Sequence, residues 1–139
     1  NYTNAPIALY DEQGIPWRFT AGIDFSFPAN TTIAPFSYIL VVKDLDAFEN
    51  TYNVGNNATV LGPFGGQLSD GEALELSQPG DTDETGTQYF IRQDRVRYDS
   101  KTPWPSSADG EGDALHRINR TAYGNDATNW EGSAPSPGE

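Results

Sequence analysis

The chain of 139 residues carries 20 acidic and 8 basic side chains, a net charge of −12, 12% aromatic residues, and neither cysteine nor methionine. A length of this order suits one domain around one core, and the charge repels nucleic-acid phosphate and anionic lipid at long range, so neither is expected as a partner. Without thiols there are no disulfides or thiolate metal sites, and no run of 18 apolar residues exists to insert in a bilayer.

Short β-type runs recur between turn signals, a pattern that predicts an all-β sandwich. Pro6 to Tyr10 (PIALY) is the first, followed by a turn holding Gly14 and Pro16. Trp17 to Phe27 alternates loosely, and Phe19, Ile23, Phe25 and Phe27 are its inward set, because side chains two apart share one face of a strand. Phe36 to Val42 (FSYILVV) is continuously apolar and predicts a central strand covered on both faces. Asp44 then caps one or two helical turns, whose Leu45 and Phe48, three apart, pin them to the sandwich.

Gly55 to Ala58 and Gly62 to Gly66 (GPFGG) are expected loops. Asp70-Gly71, between Leu68 and the alternating Leu74 and Leu76, predicts a hairpin turn, since this dipeptide tolerates the positive φ that such turns need. Pro79 to Gly86 (PGDTDETG) is polar and turn-rich, which predicts a solvated loop. Tyr89 to Tyr98 returns to strand with Val96 and Tyr98 on one face and Arg95 and Arg97 on the other. A short strand follows at Ala114 to Ile118, and then a polar segment with Trp130. The domain is expected to span residues 1–132, with 133–139 (SAPSPGE) as a tail or linker. With no initiator methionine, the chain is expected to be a processed product or an excerpt.

Several of these segments carry a likeness. The run PWPSSADGEGDAL (Pro103 to Leu115), preceded by DRVRYD (Asp94 to Asp99) and followed by Asn129-Trp130 and APSPG (Ala134 to Gly138), resembles the bacterial lamin-tail domains. FSFPANTTIAP (Phe25 to Pro35) and VLGPFGGQLSDGEALEL (Val60 to Leu76) are similar to the same family. The likeness covers nearly the whole chain and is most specific at 103 to 115. It implies an immunoglobulin-like β-sandwich with one short helix, non-catalytic, in large secreted or surface proteins. Members of the family usually open with an acidic and aliphatic strand, and here Asn1 lies just beyond its place. Either the excerpt omits that strand or a partner provides one: a sandwich without it exposes backbone groups and apolar side chains, which strand addition from another chain would cover.

The chemistry-bearing residues are few. Asp109, Glu111 and Asp113 alternate along one loop, a spacing that can gather oxygen ligands around calcium. Yet the glycine and the bidentate acid of an EF-hand are replaced by Ala114 and Arg120. The competing reading is a turn in which Gly110 and Gly112 provide backbone freedom and the acids face water. Asp81, Asp83 and Glu84 form a second acidic loop. Trp104, between Pro103 and Pro105, is either a rigid sugar platform or, as we favour, a core anchor on a segment that prolines exclude from the sheet.

The single histidine, His116, has no nucleophile motif beside it and is expected to be an exposed strand residue. Arg92, Arg95 and Arg97 gather three of the eight basic residues on one strand, either for cross-strand pairs with local acids or for an interface. Four N-x-T sequons occur, at Asn1, Asn30, Asn57 and Asn119, in or near turns. These readings together predict a structural or interaction module acting in adhesion or assembly, outside the cell or on its surface. It would need no cofactor, and its partners would be other modules or copies of itself. The alternative is a calcium- or carbohydrate-binding accessory module, and an unrecognised hydrolase ranks third.

Overall fold

A computed structural model describes all residues, Asn1–Glu139. It is β-rich, with strands β1 (Ile7–Ala8), β2 (Arg18–Ala21), β3 (Thr32–Ile33) and β4 (Tyr38–Val41), helix α1 (Leu45–Thr51), and strands β5 (Ala58–Leu61), β6 (Gly71–Thr82), β7 (Gln88–Asp99), β8 (Ala114–Arg117) and β9 (Trp130–Ser133). The strands form a three-stranded sheet in the order β2-β6-β7 and three two-stranded pairs: β1-β3, β4-β5 and β8-β9. No helix is long and apolar enough to cross a membrane.

The inward set of the first aromatic segment holds. Ile23 and Phe27 are buried, Phe19 and Phe25 half-buried, and Phe27 stacks on Phe19 and meets Phe25 edge-on. The segment is not one strand, however. It folds back at Gly22, whose φ of 89° only glycine adopts freely, so that the Phe19 amide donates to the Phe25 carbonyl and the Phe27 amide to that of Trp17. A side chain at Gly22 would also strike the Ala73 carbonyl and Leu74, which ties this turn to β6.

The apolar run FSYILVV does not form a central strand. Tyr38–Val41 pairs only with β5, in parallel, and all four residues are half-buried. Phe36 stands outside it at φ 53°, exposed. An unbroken apolar run reports burial without saying which neighbours provide it. The parallel pairing needs a crossover, and α1 provides it. Asp44 caps that helix by accepting from the Ala47 amide at 2.9 Å, and Leu45 and Phe48 are its half-buried side chains, as their spacing predicts.

The hairpin expected at Asp70-Gly71 is absent. Gly71 is the first residue of β6 and sits opposite Asp99, Glu72 opposite Tyr98 and Leu74 opposite Val96. The true hairpin closes at Asp83–Gly86, inside the segment read as a solvated loop. β6 runs on through Pro79, which lies opposite Phe90 beside an irregularity between Pro79 and Thr82. Proline is admitted in sheets at such places, where the ladder is already interrupted.

The Asp83 carboxylate organises the turn. It accepts from the amides of Thr85 and Thr87 at 2.9 Å each, from the Thr85 hydroxyl at 2.6 Å and from the Tyr89 hydroxyl at 3.1 Å. These bonds, the Thr85 hydroxyl foremost, lower its pKa to about 2.

Ten residues are buried, among them Leu9, Ile23, Phe27, Val42 and Trp104. Residues 133–139, expected as a tail or linker, fold back onto the chain at their end. Gly138 is buried, its carbonyl accepts from the Asn57 side-chain Nδ2 at 3.2 Å, and a Cβ there would lie 3.0 Å from that of Ala58.

Candidate interaction surface

The β2-β6-β7 sheet and the β8-β9 pair face each other across a gap that their side chains do not fill. Two adjoining cavities lie there, of about 230 and 330 Å³. Leu74, Val96 and Trp130 line both, joined by Phe19 and Leu76 at one end and by Leu68, Tyr98 and Leu115 at the other. Alternation along β6 sends Leu74 and Leu76 to one side, and the Leu74–Val96 pairing puts Val96 beside them. Protein interiors are ordinarily packed without such voids, and this apolar lining stays only half-buried at Leu74, Leu76, Val96, Leu115 and Trp130.

One wall of the gap is latched. Arg117 of β8 donates to the Asp94 carboxylate of β7 at 2.6 Å and to the Ala122 carbonyl at 2.7 Å. The Trp130 indole donates to the Gly124 carbonyl at 2.8 Å. Only a glycine fits at position 124 in this contact, since a Cβ there would sit 2.7 Å from Asp94 Oδ1 and 2.9 Å from Arg117 Nη2. The Asn125 side chain also accepts from the Arg97 amide at 2.5 Å, covering that part of the outer edge of β7.

Further along β7, the Gln88 and Gln93 amides donate to the carbonyls of Tyr89 and Ile91 at 2.7 and 3.3 Å. Unpaired strand edges invite other chains, and these side chains blunt this one. Tyr89 and Ile91 themselves are 56% and 53% exposed, far above the usual burial of such residues.

On the other side of the Asp94–Arg117 latch lies a groove of about 230 Å³ lined by Arg92, Arg95, Arg117 and Tyr123 among others. Arg92 and Arg95 share one oxygen of Glu75, at 3.4 and 3.2 Å. The cross-strand pairs expected for the basic strand exist at Arg92 and Arg95, and these two arginines face an open groove.

Trp104 is 9% exposed and lies 6.1 Å from Trp130, ring to ring, as a core anchor. Its flanks then turn through Ser106–Ala108 into the acidic loop. There Gly110 and Gly112 have φ of 81° and 100° with open space around them, Asp109 and Glu111 are exposed, and Asp113 is half-buried. Asp109, Glu111 and Asp113 are not drawn together, and no group of three or more His, Asp or Glu side chains is placed to hold a metal ion. Asp81 and Glu84 are exposed, and Asp83 is spent on its own turn.

His116 is half-buried rather than exposed. It sits opposite Glu131 in the β8-β9 pair, beside Phe48, Tyr52 and the returning Pro135 and Pro137, and its Nε2 has no hydrogen-bond partner. The reason is the tail, whose return over β8 the local sequence did not signal. Of the sequon asparagines, Asn1 and Asn119 use their side chains in local contacts, Asn119 by accepting from the Thr121 amide and hydroxyl, and Asn57 donates to the Gly138 carbonyl of the returning tail, while Asn30 is exposed at φ 61°. Compared with protein-family models, curated proteins and solved structures, the chain has no match.

Proposed function

We propose that this chain is a non-catalytic interaction module of the lamin-tail kind, an immunoglobulin-like sandwich serving adhesion or assembly in a secreted or surface bacterial protein. The observation that carries this reading is the open apolar gap between the β2-β6-β7 sheet and the β8-β9 pair. Contiguous apolar surface left accessible on a soluble domain marks a place where another chain binds. The two cavities adjoin along β6 and β7, and an extended segment of a partner could enter them with alternate aliphatic side chains.

Each aliphatic side chain buried there contributes roughly 1.5–3 kcal/mol. Association costs about 4 kcal/mol even by the lower estimates, so two such residues only balance it. Polar contacts at the rim must provide the surplus, and the arginines beside the latch are the groups available.

Copies of the chain are the simplest partners. Sedimentation velocity over a wide range of concentration tests this: the reading expects the weight-average mass to rise with concentration, and to rise less in Leu74→Asp, which puts a charge in the gap. A mass that stays at one chain for the native protein throughout would overturn self-assembly.

A further inference from the structure

We infer that the groove of Arg92, Arg95 and Arg117 docks the acidic loop Asp109–Asp113 of a second copy, joining copies head to tail. The inference rests on the assembly reading and names the contact that would direct it.

The groove is the place where an acidic protein turns a positive face outward. Three guanidiniums line it against two carboxylates, Glu75 and Asp94, and one Glu75 oxygen serves both Arg92 and Arg95. Arg97, next on the strand, is exposed and belongs to no ion pair. Arg117 forms the far wall, its guanidinium already bonded to Asp94 and to the Ala122 carbonyl, so Arg92 and Arg95 are the groups open to a partner. Tyr123, 70% exposed, forms a lip at the same groove. Arginine forks match carboxylates in plane, which makes this a receptor for acidic side chains.

Charge and availability suit the Asp109–Asp113 loop as occupant. The chain bears −12 overall, so a second copy is repelled from most of its surface and favoured at a basic groove. Asp109 and Glu111 are exposed on a glycine-bordered loop and take part in no ion pair within the chain. Asp83, by contrast, is already bonded to Thr85, Thr87 and Tyr89. Groove and loop are different surfaces, so the contact is heterologous, and repeated contacts of that kind build an open chain of copies unless the rotation closes a ring.

Two variants test it: Arg92→Gln, at a side chain 54% exposed, and the double variant Asp109→Asn/Glu111→Gln, at exposed residues. Circular dichroism and thermal melting establish that both fold. Sedimentation is expected to show each weakened in self-association by about tenfold or more, the scale of one lost interfacial charge pair. Each variant keeps one intact half of the contact, so an equimolar mixture should form a one-to-one dimer and stop there. Variants that associate like the native chain, or a mixture no larger than its separate components, would overturn the docking while leaving assembly standing. Native protein that remains a single chain at every concentration would remove the assembly reading as well.

Discussion

Trp104 shows how much one side chain can hold in a thinly packed molecule. Its two prolines keep the segment out of any ladder, so the indole is what fastens it, against Trp130 at 6.1 Å. Only five hydrophobic residues reach full burial, which leaves few contacts to compensate for its loss. Trp104→Ala is expected to cost about 3–5 kcal/mol, read from the urea midpoint at constant slope. A cost below about 1 kcal/mol would place Trp104 outside the stabilising core.

That role was legible in the sequence because proline removes alternatives. The fate of Asp109, Glu111 and Asp113 was not. Alternating acids around glycines favour a solvated turn, yet they suit a metal loop as well. The difference lies in where the side chains point, and with Gly110 and Gly112 at positive φ Asp109 and Glu111 are exposed and do not converge.

Among the elements, the β6-β7 hairpin is the longest and the one most governed by a single turn. Asp83 reads as one more loop acid in sequence, yet its carboxylate accepts four hydrogen bonds and closes the strands. Its pKa is lowered from 3.8 to about 2 by those bonds. A carboxyl whose folded pKa is depressed stabilises the fold above its unfolded value, and that contribution is lost as the pH falls through the folded one. Thermal stability is therefore expected to fall between pH 3.8 and about 2, and Asp83→Asn to show a smaller fall in that window. Equal pH profiles for the two proteins would contradict the role given to the charge.

The misplaced hairpin has a physical reason. Asp70-Gly71 is a local preference of modest size, and the cross-strand ladder from Gly71–Asp99 to Thr82–Gln88 outweighs it. Strand content, the capped helix after Asp44 and the inward aromatics of the second segment depend on neighbours in sequence, and they were legible. Pairing partners depend on residues far along the chain. The parallel β4-β5 pair and the continuation of β6 past Pro79 were therefore missed.

For the whole molecule, the governing feature is the unfilled apolar gap between the β2-β6-β7 sheet and the β8-β9 pair. Leucines 74 and 76 and Val96 could be assigned from alternation to one face of their strands, but not that the opposing elements would stop short of covering them. Likewise the three arginines were visible as a basic strand, while their groove depends on Arg117 and the 121–124 segment, which approach from elsewhere in the chain.

The claim that the gap receives another chain is tested most directly by amide hydrogen exchange in dilute and in concentrated solution. The account predicts that amides of β6, β7 and β9 around Leu74, Val96 and Trp130 gain protection as concentration rises, while those of α1 and β4 do not. Identical exchange at both concentrations, with the gap no better protected when copies are crowded together, would contradict it.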